Sequence, residues 1–385
     1  MPACSSRVLC STTIATKPRT STTILNDTVQ PRQAAMLAIG TANPPNSMSQ
    51  DEYADWYFRV TNSDHLTNLK HKLKKICRKS GIKKRHFHHG DDTFRDHPEL
   101  AVHGAPSLDA RQDILAAAMP ELAAAAAARA IAEWGRPASD VTHLVFTTYS
   151  GMRMPGADIR LASLLGLRRS VQRTPMYFVG CHAAAAALRV AKDIAENSPG
   201  TARVLVVCAE LTLMLFQPAQ EHRVDTLVNQ ALLGDGAGAV IVGAGDAMGG
   251  ERKVFDMVSA AQTVVPGSED VADGQVRASG MVFRPSPKLP ALVRDNVDQL
   301  MAERVVPGGP AILDAVEEGL ALAPGKMDAS RRVLSEYGNM SGASIIFVLD
   351  ELRRRGDLPP GGLGVMLGVG PGISIETMVL RAAAA

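Results

Sequence analysis

Two stretches of the 385-residue chain carry side chains able to do chemistry. In MYFVGCHAAAAALRVAKDIAEN, residues 176–197, a single thiol, Cys181, stands between a glycine and the first turn of an alanine-rich helix. A cysteine on a sharp strand-to-helix turn faces the helix N-terminal N–H groups, whose dipole favours the thiolate, the nucleophilic form. Ala183 to Ala187 let the helix pack closely beneath it. The same residues fit a buried small hydrophobe, the usual state of a free cysteine. His182 points elsewhere at a helix start and is a poor base for its neighbour, while Cys208 in VLVVCAEL reads as strand core. In the second stretch, LKHKLKKICRKSGIKKRH, Lys72, Lys75 and Lys79 fall at i, i+3 and i+7. That spacing puts three ammonium groups on one helical face, suited to phosphates or to plain solvation.

The elements that must position these groups alternate. VTHLVFTT reads as a strand, PGADIRLASLLGL as a helix, TPMYFVG as a strand, the Cys181 segment as a helix, and RVLVVCAEL and AGAVIVGAG as strands. Continuous apolar strands separated by helices predict an α/β fold with sheets covered on both faces. Residues 111 to 134 predict a long core helix stopped by Gly135 and Pro137. The second half echoes the first: PGGPAILDAVEEGLAL repeats the Pro-Gly opening, and ASIIFVLDEL and GVMLGVGPGISIETMVL follow, which predicts an internal duplication. In the first half a strand precedes Pro155-Gly156, whereas Val305 and Val306 alone precede Pro307-Gly308.

Composition bounds the partners. With 46% hydrophobic residues the chain can bury two core-bearing halves, and a net charge of +2 gives no reason to expect a nucleic-acid or membrane partner. No apolar run is read as long enough to span a bilayer. Cysteines at 4, 10, 77, 181 and 208 form no CxxC pair and no zinc-type spacing, which predicts reduced thiols in the cytoplasm and no metal site. The first 34 residues are rich in Ser and Thr with no acid before Asp27. They share this with plastid transit peptides, but no amphipathic Arg helix runs through them, so a disordered extension is expected. LLGDGAGAVIVGAGDAMGG is no dinucleotide loop, because Met248 stands where a third glycine is needed after Gly243 and Gly245.

LAIGTANPPN, FRVTNSDH, the Gly-Cys pair before the helix, AKDIAEN, RVLVVCAELT, GDGAGAVIVG, PGGPAILDAVEEGLAL, RVLSEYGNMSGASIIFVLDEL and GVGPG together resemble the plant type III polyketide synthases, the chalcone synthase group, from about residue 35 to the C-terminus. The resemblance implies a thiolase-like fold of five αβαβα layers in two duplicated halves, 35–245 and 246–385, working as a homodimer. It implies an acyltransferase that loads a starter from coenzyme A onto Cys181 and extends it with malonyl-CoA. No cofactor is implied beyond these thioester substrates. Asn339 takes the place of the oxyanion-stabilising amide, and Ser341 that of a substrate-contacting residue. Phe216 and Phe283 fall on the family's gating phenylalanines, and Lys72, Lys75 and Lys79 on its coenzyme A tunnel.

The chain departs from the family at the residue before Pro307, where Val306 replaces a catalytic histidine and the strand that carries it is missing. Losing one oxyanion donor costs on the order of 100- to 1000-fold in rate. Val369 replaces the phenylalanine of the GFGPG loop, and Leu215 stands where many members have a cavity-lining threonine, so neither starter nor cyclisation mode carries over. The alternative is a catalytically impaired homologue, or a splice or gene-model variant, acting as a non-catalytic partner. A Cys-His hydrolase is weaker, since every histidine lies at or before His222.

Overall fold

The computed structural model describes residues 33–221, 223–245, 250–297 and 309–383. The N-terminal extension with Cys4 and Cys10, His222, Met248 and the Val305–Gly308 junction lie outside the described residues.

The chain enters as β1 (Ala34–Ala42), β2 (Asn46–Ser49), α1 (Gln50–Val60), α2 (Thr67–Lys79), β3 (Lys84–Phe87), α3 (Asp91–Asp96) and α4 (Leu108–Trp134). It continues as β4 (His143–Thr148), α5 (Ala157–Leu164), β5 (Gln172–Tyr177), α6 (Ala183–Asn197), β6 (Arg203–Glu210), α7 (Val224–Leu232) and β7 (Gly236–Ala244). Then follow β8 (Phe255–Val264), β9 (Ala272–Arg277), β10 (Gly280–Pro285), α8 (Leu289–Val297), α9 (Pro310–Gly319), α10 (Asp328–Tyr337), α11 (Ala343–Arg355), β11 (Leu363–Gly370) and β12 (Ser374–Ala382).

Eight strands run in the order β11-β12-β8-β1-β7-β6-β4-β5. β1 meets β8 through only Ala35↔Asp256 and Met36↔Phe255, a narrow seam between a five-stranded and a three-stranded part. Within the first part β4 is parallel to β5 and β6, and β7 is antiparallel to β6 and β1. In the second, β12 is antiparallel to β11 and β8, as β7 is to β6 and β1. The place that β4 holds beside β6 is empty beside β11 among the described residues.

Period-two alternation of apolar residues builds the layers. Leu144, Phe146, Leu205, Val207, Ala239 and Ile241 face α4 in one core. Their neighbours Val145, Val204, Val206, Val240 and Val242 face the opposite way, onto α6 and α11, and share that core with Met366, Met378 and Leu380 of β11 and β12. Leu367 and Ile375, on the far face of those strands, pack with Val293 of α8 and Leu313 and Val316 of α9. Helix, sheet, two central helices, sheet and helix follow one another, an α/β thiolase-like stack.

α4 ends at Gly135 in the left-handed region, φ 74°, as the sequence predicts. One expectation needs correcting: by length and composition alone, α4, with 27 residues, could cross a membrane. Its Leu115, Met119, Ala123, Ala126, Ala127 and Ala130 are instead buried against the five-stranded part, so its apolarity serves the core.

His89 follows β3 into an aromatic cluster, with ring centroids 5.1 Å from Phe87, 5.5 Å from Phe216, 5.9 Å from Phe94 and 6.0 Å from Trp56. It is 2% exposed and neither ring nitrogen has a hydrogen-bond partner. Burial, with the nearby His88, Arg111 and Arg85, lowers its pKa from 6.5 to about 3. The folded state therefore binds fewer protons than the unfolded chain between these values, so stability is complete above pH 6.5 and falls as pH drops toward 3. At pH 5 the loss amounts to roughly 2 kcal/mol. His89→Leu is expected to flatten the decline, measured as urea midpoints of the variant and the parent from pH 4.5 to 7.5.

Candidate active site

β5 delivers Cys181 through a tight passage. Phe178 and Gly180 have φ of 58° and 86°, and the Ala183 N–H donates to the Gly180 carbonyl at 3.0 Å to close the turn. Position 180 must be glycine on two counts: its φ, and the Pro371 Cδ that a Cβ would meet at 2.5 Å. A Cβ at Gly370 would lie 1.7 Å from His182 Nδ1, so the Nδ1 edge of the imidazole abuts the β11 backbone beside Cys181. His182 is thus turned into the wall, as expected for a residue that is no base for its neighbour.

The helix start favours the thiolate form of Cys181, and burial opposes it. Burial pushes the thiol above its ordinary value of 9.0 and Glu210 adds to this, while the Ser341 hydroxyl and the cysteine's own backbone N–H pull it partly back. Desolvation of the charged form outweighs the helix terminus here.

Asn339 is placed by backbone pairing. Its N–H donates to the Leu232 carbonyl at 2.8 Å and its carbonyl accepts from the Gly234 N–H at 3.0 Å. Its side-chain Oδ1 accepts the Ser341 N–H at 2.9 Å, which fixes the amide's orientation. The Leu232–Gly234 segment is itself anchored by Arg85, buried, whose Nη1 donates to the carbonyls of Gln230 and Leu233, both at 2.6 Å.

Cys181, Asn339 and Ser341 open onto one cavity of about 540 Å³, lined also by Phe283, Val369, Leu232 and Leu233. That size and largely apolar lining suit a small organic acyl group. Gly309 and Pro310, just beyond the Val305–Gly308 junction, also line it. Among the described lining residues there is no histidine, lysine or arginine.

Several expected site residues lie elsewhere. Phe216 is 1% exposed and packs against Phe94 at 4.6 Å and Tyr57 at 5.6 Å, in the aromatic core rather than at the cavity. Leu215 is likewise buried outside the lining. Lys72, Lys75 and Lys79 are exposed on α2, whose inner face is Leu69, Leu73 and Cys77. None of the three lines the Cys181 cavity; Lys75 lines a separate hollow with His71, Lys74 and Arg78. The sequence reading missed the α7 wall, where Val224, Val228 and Leu232 recur at i, i+4 and i+8 beside Asp225, Asn229 and Leu233. That periodicity is visible in the sequence but is also the signature of an ordinary core face.

Beneath the thiol lies Glu210. Its Oε2 accepts the Tyr149 N–H at 3.0 Å and the hydroxyls of Ser150 at 3.1 Å and Thr148 at 3.3 Å. Burial nevertheless raises its pKa to about 8, so the carboxyl is mostly protonated at neutral pH. Once ionised, this carboxylate is one of the influences that raise the Cys181 thiol.

A cysteine and an asparagine at the inner ends of two central helices, in a layered α/β stack, define a thiolase-like protein. The chain belongs to the chalcone and stilbene synthases, the type III polyketide synthases. The model of their N-terminal domain matches residues 23–246 and that of their C-terminal domain residues 256–384. It is 52% identical over 378 aligned residues to bisdemethoxycurcumin synthase of Oryza sativa subsp. japonica, covering 91% of this chain and 92% of that protein. Membership places it in a family of polyketide-forming transferases.

Because the folded pKa of Glu210 lies above the unfolded value of 4.5, its contribution to stability is complete below pH 4.5 and lost as pH rises through 8. Glu210→Gln, which can keep a carbonyl oxygen for the three donors, is expected to fold at pH 7 and to remove this slope in denaturation midpoints between pH 5 and 9. Glu210→Ala leaves those donors unpaired and is expected to cost about 3 kcal/mol or more at pH 7.

Proposed function

We propose that the protein condenses a coenzyme A-linked starter with malonyl-CoA at Cys181. The observation that carries this reading is the convergence of a thiol, an oriented amide and an apolar cavity at the starts of two helices. The Cys181 sulfur attacks the starter thioester carbonyl; its C–S bond forms as the bond to coenzyme A breaks, and the thiol proton ends on the departing coenzyme A sulfur. Malonyl-CoA then loses carbon dioxide, and the electron pair left on the α-carbon forms an enolate. This carbon attacks the Cys181 thioester, a C–C bond forms, and the cysteine sulfur leaves as thiolate. The Asn339 amide N–H stabilises the oxyanions of these steps.

With no cation among the described lining residues, the coenzyme's phosphates belong outside the cavity, and the exposed Lys72, Lys75 and Lys79 of α2 are the proposed contacts. The cavity walls Phe283, Leu232, Leu233 and Val369 set the starter. The name of the rice relative supports including aromatic starters of the bisdemethoxycurcumin type. A homodimer is proposed through β5, an edge strand whose residues Gln172 to Pro175 are exposed, next to the exposed side chains of Met152, Met154, Ile159 and Phe178.

A second reading is favoured by the second half's sheet, which holds only β11, β12 and β8 among the described residues. It makes the chain an impaired homologue, or a splice or gene-model variant, that partners a complete synthase. Sequencing transcripts across codons 300 to 310 separates these, because about 20 extra codons encoding a strand that ends in histidine would identify a variant of a complete enzyme.

Incubation with radiolabelled malonyl-CoA and a panel of aromatic and aliphatic acyl-CoA starters is expected to give labelled polyketides from the parent and none from Cys181→Ala. Asn339→Ala is expected to lower the rate on the order of 100- to 1000-fold. If no combination yields product above the Cys181→Ala background, the second reading stands.

A further inference from the structure

The two central helices begin side by side. Cys181 stands two residues before Ala183, the first residue of α6, and Ser341 two residues before Ala343, the first residue of α11. A Cβ on Gly342 would meet the Ala184 nitrogen at 3.2 Å and Cys208 Sγ at 3.0 Å, so the two helix starts are in contact. The halves thus place a thiol and a hydroxyl at matching positions, and both line the same cavity.

Ser341 carries two costs at once. Its backbone sits in the left-handed region, φ 53°, which disfavours any residue with a Cβ. Its side chain is buried, with 3% of the residue exposed, and its Oγ has no hydrogen-bond partner. Most buried hydroxyls have a partner; those of Thr147 and Tyr149 lack one here too, but of the three only Ser341 lines the cavity. The Ser341 N–H is already committed to Asn339 Oδ1 at 2.9 Å, which holds the pair as a unit. The other amide of the cavity wall, Asn229, spends its Nδ2 on the Phe283 carbonyl at 2.9 Å and is not available.

We infer that Ser341 is a second hydrogen-bond donor at the reacting centre: its O–H donates to the Cys181 sulfur in the thiolate state, and to the thioester oxygen beside the Asn339 amide once an acyl group occupies that sulfur. The first contact rests on the thiol alone, and the second on the acyl-transfer reading. The hydroxyl and the thiol line the same cavity from adjoining helix starts, and the hydroxyl lowers the thiol's pKa against burial. A neutral hydroxyl stabilises a thiolate less than a charged imidazolium does, so activity is expected to peak on the alkaline side of neutrality.

The test uses Ser341→Gly, which suits the left-handed backbone, with Ser341→Ala as the second variant if the first does not fold. Far-UV circular dichroism checks the fold, and alkylation of Cys181 by iodoacetamide is followed by mass spectrometry from pH 6 to 10. The variant's alkylation midpoint is expected to move to higher pH, with the rate at pH 7.5 lowered about tenfold. In starter loading, kcat is expected to fall while KM holds. A folded variant with the parent's midpoint and rate overturns the inference. A shifted midpoint in a protein that no starter acylates upholds the thiolate contact and overturns the acyl-transfer reading instead.

Discussion

The structure depends on how closely α6 and α11 approach each other between the two parts of the sheet. Their surroundings are made of small groups: Ala183 to Ala187 are all at most 2% exposed, with Gly342 against Ala183 and Ala184 and Gly368 of β11 against Ala185. Each alanine buries little area by itself, but dense packing of backbone against backbone leaves no room for displacement. Because each helix starts at the edge of the same cavity, the separation of the helices fixes the separation of the thiol, the amide and the hydroxyl. A larger side chain anywhere along this seam would push the sheets apart and unseat the three groups together.

The electrostatics of the centre follow from the same packing. Burial of the thiol raises its pKa, and burial of the Glu210 carboxyl keeps it mostly protonated at neutral pH. The cavity lining, as described, carries no histidine, lysine or arginine, and the cations of α2 stay at the surface.

Much of this was legible from residue order. The strands and helices of residues 143–244 follow the alternation of apolar runs, Gly135 ends α4 where a glycine should, and Cys181 sits at the junction that its flanking residues describe. What was not legible is the direction in which similar residues point. Phe216 and Phe283 look alike in sequence, yet Phe216 follows a short 3₁₀ turn, Thr212–Leu215, into an aromatic core, whereas Phe283 is carried to the cavity by the β9–β10 hairpin. Leu232 and Leu233 line the cavity on a segment held by Arg85 and by backbone pairing with Asn339, more than a hundred residues away. The sign of the Cys181 shift also depends on burial by distant elements, which no local pattern reports.

The close contact of the His182 Nδ1 edge with Gly370 has a wider implication. Beside Cys181 the cavity is bounded by the Gly370 backbone, whereas α7 and the hairpin line it with replaceable side chains. Variation among descendants can therefore retune which molecule is accepted, one substitution at a time, while the reacting atoms stay in register. Selectivity and chemistry are inherited here as separable traits.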